Sequence, residues 1–260
     1  MNITINANAG STINIFGNID DVEILNDAEC FDFEEYEEYP NGIRIKNLNN
    51  FSWDKIDAIG ADGYAREAFG IGAQKNVSLK NGENITLRII GFYHDKDEGG
   101  DLIPISWEMV GVMRKEYYMN KGCANKGGWR DSDMRKYLNE EIYHLLPDDL
   151  KKVLKPAAKK NRISDTEDIV ITVDKLWLKS EQELHGRKIY SYGGEGRQYE
   201  YYKQEDTPYY KCDEDGEGVW HWLRSPYSGY TTYFCSVHSG GYASFNFAGT
   251  AYGVSFGLCV

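Results

Sequence analysis

Apolar positions recur along this chain with two periods, about two and about 3.6 residues, and the switches between them mark its elements. Residues 12–16 (TINIF) and 43–46 (IRIK) alternate and predict short strands. Ser52 caps a predicted helix through Trp53, Ile56 and Ile59 toward Gly60, with apolar residues three apart. Residues 85–92 (ITLRIIGF) read as a strand entered from the Asn81-Gly82 turn. From 131 to 145 the pattern predicts a helix capped by Asp131 or Ser132, with Met134, Tyr137, Leu138, Ile142 and Leu145 on one face. Pro147 opens a second short helix and Pro156 closes it. Lys151–Arg162 reads as a basic connector, and 169–173 (IVITV) and 176–178 (LWL) as strands. Ser180 and Glu183 form an S-x-x-E capping box, which makes Glu181 and Glu183 capping and surface residues. Residues 190–218 predict a long irregular loop. A closing strand is expected at the end, with Val254, Phe256 and Leu258 on one side and Ser255, Gly257 and Cys259 on the other.

Charge divides the chain unevenly. Of a net −12, residues 1–43 carry −10, because ten acids precede the first base, Arg44. Such a block is a solvated arm or, with Phe31, Phe33, Tyr36 and Tyr39 interleaved, a segment that docks on a basic or apolar partner. A balance this acidic argues against binding nucleic acid or anionic membrane. At 260 residues and 41% apolar the chain can bury a core, and no apolar run reaches the length of a membrane span. The first ten residues lack the basic and apolar regions of a signal peptide, so synthesis in the cytoplasm is expected, with a virion or cell-surface location after assembly.

The last 34 residues are the opposite extreme. From Tyr227 to Val260 there is no Lys, Arg, Asp or Glu, although 27% of the chain is charged. A random window would be charge-free on the order of 10^-5 of the time. Tyr, Ser, Gly, Thr, Phe and Asn fill it, the mixture that binding loops use for rigid contact area and adaptable polarity.

Chemistry-bearing motifs are sparse. Five cysteines, Cys30, Cys123, Cys212, Cys235 and Cys259, contain no C-x-x-C, and the five histidines spell no zinc set. The acidic stretches 94–101 and 213–217 lack calcium-loop spacing and read as solvated loops. No nucleophile elbow, P-loop or dinucleotide fingerprint occurs. Cys235 and His238, three apart, would point to opposite faces of a strand. No catalytic residue, metal ligand or cofactor is therefore assigned.

Six ordered motifs carry a resemblance: IIGF-H-D at 89–95, G-G-W-x-x-S-x-M-R-x-Y-L-N at 127–139, L-P at 146–147, D-K-L-W-L-x-S-E-x-E at 174–183, W-x-W-L-R-S-P at 220–226 and G-V-S-F-G-L-C-V at 253–260. Over about 50–260 the chain resembles an uncharacterised domain family of phages and gut bacteria. Its C-terminal third is also similar to the C-type-lectin-like variable proteins of diversity-generating retroelements. There, miscopied template adenines turn AAY codons into NNY, which encode no Lys, Glu, Gln, Met or Trp, and the window 227–260 holds none of these. The resemblance implies an α+β fold: a C-type-lectin-like mixed domain, 49–260, with a small antiparallel sheet and two or more helices, after an acidic extension, 1–48. It implies a ligand surface at Tyr227, Tyr230, Thr232, Tyr233, Cys235, His238, Ser239, Tyr242, Ser244, Asn246, Thr250 and Tyr252. Trp220, Trp222, Leu223 and Arg224 become scaffold, and Phe234, Val237, Gly253 and Val254 core or turn positions. The calcium-ligating motifs of sugar-binding lectins are absent.

Three readings follow. The first is a receptor-recognition or adhesion protein whose partner is a protein or glycan on a target cell, with residues 1–43 serving oligomerisation or virion attachment. The second is a structural virion part in which 227–260 is a fixed interface. The third is a thiol enzyme of the formylglycine-generating type.

Overall fold

The computed structural model describes residues 42–164 and 168–260, with side chains from Arg44 onward, and upstream the backbone of three strands, β1 (Asn2–Asn6), β2 (Thr12–Phe16) and β3 (Tyr36–Tyr39). Labels run in chain order. The acidic block at 17–35, with Cys30, and the attachment role expected of 1–43 lie outside the described residues. β1 and β2 pair as a hairpin. β3 pairs with β4 (Gly42–Asn47), which joins β5 (Phe69–Ser78) in parallel, so strands from within 1–48 extend the central sheet. That sheet has six strands in the order β15-β7-β6-β5-β4-β3, with β6 at Asn84–Phe92, β7 at Ile105–Met109 and β15 at Gly257–Cys259. All its pairs except β4–β5 are antiparallel. In β5 the alternation puts Ile71, Ala73 and Val77 in the core and Gln74, Asn76 and Ser78 outside.

Helices pack on this sheet. α1 (Trp53–Ala61) starts at Ser52, whose Oγ accepts the Lys55 N–H at 3.2 Å. Its Trp53 and Ile56 are buried, Trp53 edge-on to Trp107 at 5.3 Å between centroids. α2 (Ala65–Ala68) is a single turn leading into β5. The stretch expected as one helix, 131–145, is wound three ways: a 3-10 turn at Gly128–Asp131, α3 (Asp133–Lys136) capped by Ser132, then a π-helical Tyr137–Ile142 running into α4 (Tyr143–Leu145). Asn139 accounts for the widening. Its amide donates to the Arg135 carbonyl one turn back and to Leu176, and its oxygen accepts from Lys175 and Leu176. A side chain bonded into the helix ladder in this way opens the turn. α5 (Asp148–Val153) follows Pro147 as expected.

Several expectations need correction. Residues 157–162 are not a connector but β8 (Ala157–Arg162), antiparallel to β9 (Ile169–Asp174). Its lysines hid the alternation, since Lys159 points inward. Residues 176–178 make one bridge, Trp177 to Gly257, rather than a strand, because Asn139 occupies the neighbouring amides. The Trp177 ring lies against Gly257, where a Cβ would sit 2.3 Å from it. The closing strand is buried on both sides, Ser255 and Cys259 included. In the acidic loop 94–101, Asp95 is buried rather than solvated.

Glu181 and Glu183 are buried too. The capping box on α6 (Glu181–His185) is present, with Ser180 accepting the Glu183 N–H at 3.0 Å. Yet Glu183 also pairs through both oxygens with Arg224, on β12 (His221–Pro226), and with Lys159 at 2.8 Å. Lys159 donates in turn to Asp95 at 2.7 Å and to the Tyr199 hydroxyl at 2.9 Å, and lies over the Trp177 ring. Arg224 donates further to Asn161 Oδ1 and to the carbonyls of Leu178 and Glu195. Burial pushes the Glu183 carboxyl up, and Arg224 and Lys159 outweigh it, leaving it below its ordinary value.

Removing one member of a buried ion pair strands the other without solvent. Arg224→Leu should cost about 3–5 kcal/mol in urea denaturation. Arg130→Ala, at an exposed pair with Asp131, should leave the midpoint unmoved.

Candidate ligand-binding face

The charge-free window folds around a second sheet. β12 pairs with β13 (Tyr233–Val237), and β13 with β14 (Ala243–Phe247), all antiparallel. The β13–β14 turn closes with His238 N–H on the Tyr242 carbonyl at 2.9 Å, and Gly241 takes φ 88°, a left-handed conformation that suits glycine. The loop 227–232 is held by Asn125, whose amide nitrogen lies 3.0 Å from the Tyr230 carbonyl and 2.8 Å from that of Tyr233. The Asn125 N–H adds a bond to Thr231 at 2.7 Å. Ser228 fixes the far end, donating from both N–H and Oγ to the Tyr190 carbonyl.

The twelve expected residues do not form one face. Strand alternation divides them. On one side Tyr227 stacks flat on Phe245, centroids 4.2 Å apart, and Tyr233 meets Phe247 at 4.3 Å. Tyr230 contacts both Tyr227 and Tyr233, and Tyr190 packs edge-on to Phe245 at 4.9 Å. On the other side Trp220 contacts His238 at 4.4 Å and Tyr252 at 5.2 Å, Asn246 bonds the Tyr252 hydroxyl, and Tyr242 approaches His238. Ser244 shares the parity of Asn246. Thr232, Ser239 and Thr250 are half-buried.

Cys235 must be withdrawn from the face. It is fully buried, and burial, with Glu181 and Glu195 beside it, pushes its thiol well above the ordinary value. Cys235 lies opposite Phe245 on the aromatic side of the sheet, but on the central strand β13 it is closed off, with Glu181 beside it. The expected scaffold positions Trp222, Leu223, Arg224, Phe234, Val237 and Val254 are all buried.

Three aromatics of the first face escaped the sequence reading. Phe245 and Phe247 alternate with Ser244 and Asn246, a period-two signal already present in the chain. Tyr190 carried none: it arrives because the Glu181 carboxylate collects the N–H groups of Ile189, Tyr190 and Ser191 at 2.7–3.0 Å. The face is accessible, with Tyr230 64% and Phe247 49% exposed, and at the sheet's far end Tyr242 is 73% exposed. Among the described residues the Tyr230 and Tyr242 hydroxyls have no internal partner, so their polar tips face solvent. Among the same residues no group of three His, Cys, Asp or Glu side chains is gathered as for a metal ion.

A mixed α+β chain whose exposed aromatics sit on a small antiparallel sheet is what these residues define. The chain belongs to the DUF6273 family, a domain of unknown function, whose model matches residues 108–260. The match omits 89–95 but takes in the other five ordered motifs. No curated protein and no solved structure matches the chain.

Alkylation of the native protein checks the burial. Cys123 is exposed and Cys212 half-buried, whereas Cys235 and Cys259 are closed off. Of the four cysteines among the described residues, mass spectrometry should find label on Cys123 first, and on Cys235 and Cys259 only after denaturation.

Proposed function

We propose that this chain is a receptor-recognition or adhesion protein that displays the aromatic face of Tyr227, Tyr230, Tyr233, Phe245 and Phe247 on a C-type-lectin-like scaffold, diversified by a retroelement. The observation that carries the reading is the combination of exposure and rigidity. Tyr230 and Phe247 are open to solvent, Phe247 from β14 and Tyr230 from the loop that Asn125, Ser228 and Tyr190 fix. Pre-ordered aromatics lose little entropy on binding, and tyrosines are frequent hot spots. The absence of charge across 227–260 suits a patch whose partner is a protein or glycan surface rather than an ion.

Tyrosines packed inside the monomer with satisfied hydroxyls would favour 227–260 as structural core, and Tyr230 and Tyr242 have neither property. A thiol enzyme needs an accessible, acidic thiol, and Cys235 and Cys259 are buried with pKa values raised by burial.

Two measurements test the reading. Sequencing around the gene should reveal a near-copy of the codons for 227–260, differing mainly at adenines, beside a reverse transcriptase. Arrays of cell-surface proteins and glycans should yield a ligand whose affinity falls about 30-fold or more in Tyr230→Ala and Phe247→Ala, the loss expected of hot-spot aromatics. An affinity unchanged in both variants would refute the assignment of the face.

A further inference from the structure

A second buried cluster lies where the two sheets meet. Glu108, on β7, accepts from Arg88 Nε at 2.6 Å and from the Tyr202 hydroxyl at 2.8 Å. Its other oxygen pairs with Lys179 and, at 3.1 Å, with Lys211 on β10 (Lys211–Cys212). Three basic side chains therefore surround a single carboxylate, all four groups buried, and burial, with Arg88 and Lys179 alongside, holds the Lys211 ammonium well below its ordinary value against the pull of Glu108. His221, the first residue of β12, stands against them. It is 1% exposed, and neither ring nitrogen has a hydrogen-bond partner among the described residues. The charged groups facing it are Lys211, Lys179 and Glu108, with the Val219 backbone nearby. An unpartnered polar ring enclosed by positive charge is costly to protonate.

Its position gives this cost a mechanical consequence. The N-terminal end of β12 is the seam between the sheets. His221 bridges Gly253, Trp222 N–H bonds the Gly253 carbonyl at 3.2 Å, and Gly253 N–H bonds Trp220 at 2.9 Å. The chain runs from Gly253 through Val254 and Phe256, which accept from Met113 and Met109, into β15 of the central sheet.

We propose that His221 is an acid-sensitive latch: protonation of its ring adds a positive charge to a buried cluster with one carboxylate, and the strain is relieved by parting β12–β13–β14 from the central sheet. Burial first, then Lys211 and Lys179, hold the ring's pKa well below its ordinary value, against the pull of Glu108 and the Val219 backbone. The sign follows from linkage. A base whose pKa is depressed in the closed state gives full stability above its ordinary value near 6.5 and loses it as pH falls below. At pH 5.0 an open state with an ordinary imidazole gains by up to about 30-fold over a closed state that takes no proton. Any effect on ligand release rests on the ligand-binding reading above, whereas the opening does not.

Hydrogen exchange of the full chain at pH 7.5 and 5.0, corrected for intrinsic rate and read without any ligand, tests it. Protection over 221–247 should fall by up to about 30-fold at pH 5.0, while 85–92 holds. His221→Gln and His221→Phe should both lose this pH dependence, and His94→Gln should keep it. His94 serves as the control because its pKa is also lowered, to about 4, by burial. The same pH dependence in wild type and both His221 variants overturns the proposal, as does an equal loss over 85–92. Should neither variant fold, the wild-type imidazole signal decides: a ring neutral at pH 5.0 supports the latch, and one that titrates near 6.5 overturns it.

Discussion

The pairing of Arg224 with Glu183 is the constraint from which the rest of the arrangement follows. Two charges taken out of water are tolerated only when each finds nearly all its partners inside, and here they do. Glu183 satisfies the start of α6, Arg224 and Lys159 together, and Arg224 spends its remaining donors on Asn161 and backbone carbonyls. One pair thus fixes α6, β8 and β12 relative to one another. Through Lys159 and Asp95 it also reaches Ser106 in β7 of the central sheet. An apolar core tolerates small rearrangements of its packing, but a buried ion pair in a low-dielectric interior has few geometries that leave no charge unpaired.

That fixation explains how a loop without charge or regular structure presents a defined surface. β12 carries the three-stranded sheet, and the strand parity of β13 and β14 sorts Tyr, Phe, Ser and Asn onto two sides. Asn125 and Glu181 then do for the loops what a ladder does for strands: each gathers several backbone groups of a segment that could not satisfy them alone. The aromatic face is held because the Asn125 amide nitrogen and the Glu181 carboxylate beneath it each bind several backbone groups of its loops. The cluster around Glu108 is the counterpart, with three basic side chains on a single carboxylate, and it sits at the seam rather than beneath the face.

Local signals in the sequence were reliable where one residue's neighbours in the chain decide its state. The Ser52 and Ser180 caps, the strand at 85–92, the short helix after Pro147 and the hairpin-forming strand 169–173 all stand. They depend on a cap three residues away or on alternation with period two. β8 escaped because lysine at an inward position reads as solvent-facing unless its buried partner, Asp95, is known. The break in 131–145 escaped because the group that widens the helix, Asn139, bonds a segment more than 30 residues downstream. Of the site, the uncharged and aromatic character of 227–260 was legible, and so was the parity of Phe245 and Phe247 with hindsight of their strand.

By itself the sequence determined composition and periodicity: an acidic head, an aromatic uncharged tail, the caps, and a mixed α+β character. Tertiary structure alone decided that Glu181 and Glu183 are buried rather than surface acids, that Cys235 lies under the face instead of on it, and that Tyr190 belongs to it. The physical reason is the same in each case. Burial of a polar group depends on whether a partner is waiting at the right distance, and those partners, Arg224, Lys159 and the 189–191 amides among them, come from elements that only the folded chain brings together.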